Sequence, residues 1–412
     1  MIIRSITYTI DFKKLEDNKY LLLVENNIQK IVNSYMKNGQ KIRTVRFNTI
    51  PLNEFILGDP EEFYNRLRIL SKFSNTIGVR WFNISFDLQA ESIKNIDVIS
   101  NHCYKIIKEF NNSFVNMIVA NEYINNYAVK KASNVIKNVS LLSDNGIDNF
   151  RLGASLNINP NTPFFPFSYS DTNDSFSLAL ETTEYIIDIV DKTFQNDYMK
   201  LKENIIQLMH GYIINIEDIA ESISADCGII YNGQDLSLSP YPDENISVIS
   251  LLNKLGIDDF GSNGTQFMTS YLTSVLKELI YKSKIKVVGF NGVMYSLLED
   301  KLMCESHNKE NFTIDSIILY STVCGCGLDM VPLPSDAKEE EIASMILDVA
   351  TTSIKLNKPL GVRVLPIPNK FSNDMTNLKL DFLANTRIPY VKHIHINKSI
   401  FNIEKFYVKH NL

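Results

Sequence analysis

Cysteine is scarce in these 412 residues, and the five that occur are an odd number: Cys103, Cys227, Cys304, Cys324 and Cys326. No disulfide framework can be drawn from them. A reducing compartment is the expected setting, so the protein is placed in the cytoplasm. No apolar run reaches the roughly 18 residues that a membrane span requires, and no membrane partner is expected. The opening stretch "MIIRSITYTIDFKKLEDNKY" alternates like a strand and then turns charged, without the apolar centre of a secretory signal. Basic character is missing too. The formal net charge is −6, which argues against nucleic acid as the main partner. Nor is there a low-complexity linker or a repeat of fixed period. What remains is 45% hydrophobic and 21% charged, the ordinary balance of a globular protein long enough to bury a core.

Length alone allows two or three domains at roughly 150 residues each, or one large α/β unit. Short β-rich runs alternate with longer helical ones. "KIRTVRFNTI" (residues 41–50) and "GVRWFNISFD" (residues 78–87) read as strands. Between them, Phe63, Leu67 and Leu70 fall at helical spacing behind Glu61 and Glu62. "SFVNMIVANEY", "NFRLGASLNI" and "GVRVLPIP" also predict strands. "AVKKASNVIKNVSLLSDNG", "SFSLALETTEYIIDIVDKTF", "FMTSYLTSVLKELIYKS" and "EEEIASMILDVATTSIKLN" predict helices. "KIKVVGFNGVMY" and "TIDSIILYSTVC" fit strands or buried segments. Such alternation favours α/β layering or a barrel. The expectation is a single large α/β domain over residues 1–412, with 1–40 and 392–412 as peripheral extensions. The longest irregular stretch, "NINPNTPFFPFSYSDTND", carries Pro160, Pro163, Pro166 and two adjacent phenylalanines. A loop of that length is either functional or an apolar plug.

Four stretches combine glycine or proline with acids just after strand-like runs. In "GQDLSLSPYPDE", Asp235, Ser237 and Ser239 share one face, which suits a pocket wall or an exposed strand face. In "GSNGTQF", Thr265 opens a helix; it is read as an N-cap or as part of an anion site. In "VCGCGLDMVPLPSD", the C-x-C spacing is not that of a thioredoxin-like centre. A zinc site needs about four ligands, and His393 and His395 have no acid or cysteine nearby at ligand spacing. Cys324 is either a nucleophile or a buried thiol in a glycine turn. Ser335 or Asp336 would cap the helix that follows. If these loops converge, Glu299 and Asp300 would take a hard ion, Mg²⁺ or Ca²⁺. Arg43, Arg46, Arg80, Arg151 and Arg363 lie in strand-like runs, where burial demands pairing. They would neutralise these acids or clamp an anionic substrate.

Several of these stretches resemble a known family. "FRLGASLNINPNTPFFPFSY", "DLSLSPYPDE", "GFNGVMYSLLED" and "YSTVCGCGLDMVPLPSDAKEEEIASMILDVATTSIKLNKPLGVRVLPIPNK" are similar to the family called domain of unknown function 711, or uncharacterised protein family 0210. The family's label assigns no activity. What the resemblance implies is architecture, a fold similar to the pyruvate formate-lyase-like barrels of glycyl-radical enzymes, with Cys324 as the family-like cysteine on an inner loop. Threonine or valine is the family-like residue at position 326, so the resemblance implies no mechanism that needs both thiols. It carries no radical chemistry either, since no glycine follows Gly361 to hold a glycyl radical. Some bacterial relatives are similar to proteins encoded beside a small ACT-domain protein, which implies small-ligand sensing.

The expected function is that of an enzyme acting on a small anionic metabolite in a barrel-mouth pocket. Cys324 and Asp329 would be catalytic; Asp235, Ser237, Arg151 and Thr265 would hold substrate; Glu299 and Asp300 would hold any metal. The alternative is a non-catalytic ligand-binding or regulatory protein on a degenerate enzyme fold. A small-molecule ligand is the partner in both, and assembly as a homo-oligomer is compatible with either.

Overall fold

The computed structural model describes residues 2–243, 246–392 and 405–408. Its strands are β1 (Ile2–Thr9), β2 (Lys41–Ile42), β3 (Val45–Pro51), β4 (Trp81–Asp87), β5 (Ser113–Ala120), β6 (Ile124–Asn125), β7 (Leu152–Leu156), β8 (Ser175–Glu181), β9 (Ile230–Asp235), β10 (Gly327–Leu333), β11 (Leu360–Pro366) and β12 (Lys405–Phe406). The helices are α1 (Asn18–Lys37), α2 (Asn53–Gly58), α3 (Pro60–Thr76), α4 (Ile93–Glu109), α5 (Asn126–Val139), α6 (Thr183–Thr193), α7 (Tyr198–Cys227), α8 (Val248–Lys254), α9 (Thr265–Ser283), α10 (Lys301–Asn308), α11 (Ile314–Tyr320) and α12 (Glu339–Leu356). Among the described residues, no helix is long and apolar enough to cross a membrane.

Local chemistry explains much of this. Asp59 caps α3 by accepting from the amides of Glu61 and Glu62, both at 3.0 Å. Pro60 sits where its missing N–H costs nothing. Phe63, Leu67 and Leu70 are then buried on one face. Other readings fail instructively. The run 175–194, expected as one helix, is β8 followed by α6. Every residue of β8 is buried, so no polar alternation marked it as a strand. The run around residues 314–320, expected as a strand or a buried segment, is helix α11 with Ile314, Ile317 and Tyr320 buried, opened by a capping box between Thr313 and Ser316. Helix α9 starts at Thr265 itself, with Gly264 as its cap residue; the Thr265 hydroxyl donates to Ser262 O at 2.8 Å instead. Helix α12 starts later than expected, after Lys338 rather than after Ser335 or Asp336.

The strands form one mixed sheet in the order β10-β11-β7-β5-β4-β3-β1-β8-β9. Strands β1, β3, β4, β5 and β7 run parallel. The pairs β8–β9 and β10–β11 flank them antiparallel. Residues 1–40, expected at the periphery, therefore supply β1 in the body of the sheet. Of residues 392–412, only Lys392 and 405–408 are described; β12 pairs with β6, and His393 and His395 lie outside the described residues. Beyond the ladders, single parallel bridges join Gln234 to Val287, Leu238 to Val293 and Ser296 to Asp329.

Helices cover one face of the sheet. The other, inner face is occupied by the proline-rich loop between β7 and β8, held there by polar bonds. Asn83 Nδ2 and Ser85 Oγ of β4 donate to Ser168 O, the latter at 2.9 Å. Asn48 Nδ2 of β3 donates to Ser168 Oγ at 2.9 Å. This row of small polar side chains inside a sheet makes sense only because a loop backbone must be satisfied there. The apolar tip of the loop, Phe164 to Phe167, points along the inner face. Ring Phe167 presses on the backbones of β7 and β11. A Cβ on Gly361 would meet its Cε1 at 2.5 Å, and one on Gly153 would meet it at 2.7 Å. Gly361→Ala is expected to cost about 1–3 kcal/mol by overpacking. Urea unfolding should show it, and Phe167→Leu in the same chain should recover part of the loss.

Candidate active site

The strands and the loop tip enclose a cavity of about 80 Å³, room for several water-sized groups. Its polar wall is Arg4 of β1, Arg46 of β3, Asp329 of β10, Arg363 of β11, Glu299 and Cys326; Phe164, Phe165, Phe167 and Phe290 form its floor. A second chamber of about 220 Å³ shares Arg4, Arg46, Trp81, Phe150 and Glu299 and adds Arg43, Arg80 and Tyr241. The inner cavity thus continues into an arginine- and aromatic-lined antechamber.

Register places the central ion pair. Strands β10 and β11 are parallel neighbours with Asp329 opposite Arg363. The guanidinium meets the carboxylate as a fork, Nε to Oδ1 at 2.6 Å and Nη2 to Oδ2 at 2.8 Å. Its Nη2 also donates to Glu299 Oε2 at 3.0 Å, which accepts from Ser296 Oγ at 2.6 Å. Arg363 and Asp329 are 4% and 7% exposed, and Glu299 beside them is half-buried. Two carboxylates therefore share one cation. Burial alone would raise both acids. At Glu299 the attraction of Arg363, Ser296 and Arg4 wins and holds the carboxyl below its usual range. At Asp329 burial wins, with repulsion from Glu299 added, and the carboxyl is raised.

Both flanks of the cavity are built on irregular backbone. The β10–β11 register shifts between Asp329 and Val331, where Met330 adopts a left-handed φ of 50°. The β1–β8 register shifts between Ile3 and Ser5. Arg4 faces the loop together with Thr7, which donates to Pro163 O. Plain alternation forbids two residues three apart on one face, and a bulge supplies the missing step.

Arg4 donates from Nη1 and Nη2 to Pro240 O, both at 3.2 Å, and lies 5.9 Å from the Phe164 ring centre. Arg46 donates from Nε to Thr44 Oγ1 at 3.1 Å and lies 5.1 Å from the Phe165 ring centre. Among the described residues neither has an ion-pair partner. Burial lowers the Arg4 guanidinium despite Glu181 and Glu299. Burial and then repulsion from Arg4 push Arg46 down to about 9, still charged at neutral pH. By contrast, Arg43 forks onto Glu181 at 2.8–3.1 Å.

The expected site residues divide. Glu299 and Asp329 meet at the cavity. Cys324 does not line it; the thiol that does is Cys326, whose Sγ accepts from Tyr295 N at 3.0 Å. Asp235 spends its buried carboxylate on Ser237 N, Ser237 Oγ and Phe290 N at 2.6–2.7 Å. It ties β9 to the segment 287–296, and of that serine-bearing face only Ser239 reaches the cavity. Arg151 donates to Ile107 O and Phe110 O at 2.8 and 2.7 Å, closing carbonyls that the end of α4 leaves open. Thr265 is held in its own turn.

Asp300 turns away from Glu299, so the two do not converge as metal ligands. Among the described residues, no group of three or more His, Cys, Asp and Glu gathers to hold a metal ion. Asp300 instead caps α10 and accepts from Ser247 Oγ at 2.7 Å and Val248 N at 2.9 Å. Burial pushes its carboxyl up from 3.8 to about 6. The folded chain then holds a proton that the unfolded chain has already lost. The stability this adds is complete below the unfolded value and lost as the pH rises through about 6. Asp300→Asn is expected to gain on wild type by up to ~3 kcal/mol over that window, measured by urea unfolding at stepped pH.

Sequence reasoning missed Arg4 and the phenylalanine floor, and it named Arg46 and Arg363 only as members of a group. Residues 1–379 match a family profile described as "Uncharacterised ACR (DUF711)". A UPF0210 protein of Pyrobaculum aerophilum is 26% identical over 268 residues, 64% of this chain and 59% of that one. One from Lactobacillus delbrueckii subsp. bulgaricus is 32% identical over 158 residues, 38% of this chain and 34% of its own. One from Clostridium perfringens is 23% identical over 387 residues, 89% and 83% of the two chains. The chain thus spans less than two thirds of the Pyrobaculum relative in the matched stretch.

Proposed function

The chain belongs to this DUF711 family, whose description names no reaction, and we propose that it is a cytoplasmic enzyme that moves a proton on a small carboxylate or phosphate bound in the inner cavity. The observation that carries the reading is the pair Arg4 and Arg46. Two half-buried guanidiniums face the cavity and, among the described residues, have no ion-pair partner, an arrangement that is costly until an anion arrives. A carboxylate or phosphate fits their planar forks. Glu299 and Asp329 supply the chemistry. Their environments push the two acids apart, one ionised and the other readier to hold a proton, which is how acid and base roles are divided. The phenylalanine floor lowers the local polarity and strengthens both effects.

A barrel is the architecture this reading implies. The single bridges through residues 287–296 lead from β9 on one sheet edge to β10 on the other, and closure along that line supports the likeness to pyruvate formate-lyase-like barrels.

One observation favours ligand binding without turnover: both Asp329 oxygens are taken by Arg363. The experiment is calorimetric titration with inorganic phosphate and a panel of small mono- and dicarboxylates, followed by NMR of each bound ligand in deuterated water. Binding with deuterium uptake supports the enzyme. Binding without uptake supports the binding protein. Failure of every anion to bind overturns both.

A further inference from the structure

We propose that Cys324 and Cys326 form a redox-active dithiol in the cavity wall, which closes to an intramolecular disulfide by reducing a hydroperoxide that enters the chamber. The argument starts from reach. Two extended residues span at most ~7 Å, and a disulfide accepts Cα separations of about 4.4–6.8 Å, so closure needs only local adjustment. The turn between the thiols is held from outside. Gly325 N donates to Val293 O at 2.6 Å. A Cβ at Gly325 would meet Gly292 Cα at 3.0 Å, so two backbones run in contact and only glycine fits between the cysteines. Both thiols are 1–2% exposed, yet Cys326 opens onto the cavity while Cys324 lies behind it.

The surroundings of the two sulfurs differ. The Cys326 thiol donates to Tyr295 O at 3.3 Å, and the neighbouring Cys326 and Gly327 groups, with the Lys358 ammonium nearby, favour the charged form of Cys324. Lys358 Nζ donates to Cys324 O at 2.6 Å. This nest brings the Cys324 thiol down to about 6, whereas the thiolate beside it and burial push Cys326 well up. Cys103 and Cys304 have no such nest, and burial raises both.

The step balances. Cys326, the sulfur that faces the cavity, gives its proton to the Cys324 thiolate. The Cys326 thiolate attacks one peroxide oxygen, the O–O bond breaks, and hydroxide leaves. The hydroxide takes the proton from Cys324 and departs as water. Cys324 then attacks the sulfenic sulfur of Cys326, forms the S–S bond and expels a second hydroxide. The dithiol loses two electrons and the peroxide gains them. No bound anion is required, so the proposal stands or falls apart from the acid–base reading.

The test uses the full-length folded protein and hydrogen peroxide. After graded exposure and an acid quench, free thiols are alkylated under denaturing conditions and the digest is weighed. The expected result is a peptide carrying Cys324 and Cys326 that is two hydrogens lighter, takes no alkyl group and recovers both with dithiothreitol, while Cys103 and Cys304 stay alkylatable. Cys324→Ser removes both the base and the resolving thiol, so Cys326 should stay alkylatable at doses that close the pair in wild type. Thiols 324 and 326 that remain alkylatable at peroxide doses oxidising the more exposed Cys227 would overturn the proposal. So would sulfinic acid at Cys326 in wild type without any disulfide. The wild-type measurement decides even if the serine variant does not fold.

Discussion

Replacing Arg363 by leucine is expected to lower the free energy of unfolding by about 3–5 kcal/mol, the loss that follows removal of one partner from a buried ion pair. The reason lies in the count of charges. Arg363 is the cation shared by Asp329 and Glu299, and leucine leaves a buried and a half-buried carboxylate without it. Both would have to take up a proton to remain buried, so the variant should lose most stability at high pH and least in acid. Asp329→Asn combined with Glu299→Gln removes the stranded charges. In that background Arg363→Leu is expected to cost much less, and a three-residue cycle by urea unfolding would show the coupling. Equal losses in both backgrounds would mean that the arginine contributes by packing over Phe150 and not by charge.

Arg46→Gln is expected to do the opposite to stability and the most to binding. Its guanidinium is half-buried and, among the described residues, has no ion-pair partner, so glutamine should raise the melting temperature. Affinity for an anion should fall by about tenfold to a hundredfold, the worth of one or two hydrogen bonds to a charged group. Arg4→Gln should behave alike, and the double variant should bind no anion at millimolar concentration. A gain in stability joined to a loss of binding is the signature of a cation kept for a ligand. A loss of both would identify Arg46 as a structural residue. Calorimetry with phosphate and a melting curve without it separate the two.

Much of this site was legible as a class and little of it as geometry. The arginines in strand-like runs were readable because a charge in such a run needs a partner, and Arg363 found one. Arg4 was not readable. It stands two residues before Ile6 in an alternating strand, and only the bulge at the start of β1 turns it to the same side as Thr7. Helix α3 announced itself through Glu61, Glu62 and a regular apolar face, whereas β8 is buried on both faces and showed no period that distinguished it from the helix after it. The resemblance pointed to Cys324, and the structure puts the neighbouring thiol at the cavity. One residue of turn decides which sulfur meets a ligand, and spacing cannot report that. Asp235 and Asp300 looked like pocket acids because acids after strands often are. Here they accept from backbone amides and hold segments together.

The loop between β7 and β8 gives the protein two separate controls over what it accepts. Arg4, Arg46, Asp329 and Arg363 reside on strands, whose positions are locked by ladders and by Gly153 and Gly361 under Phe167. The shape of the chamber is set by a loop that lies across the sheet and is fastened by Ser168. A change of ring size at Phe164 or Phe165 would resize the chamber without moving a charged group. Divergence between copies of this fold therefore has a route to new ligands that leaves the charged groups untouched, and the tip of this loop is where a designer would begin.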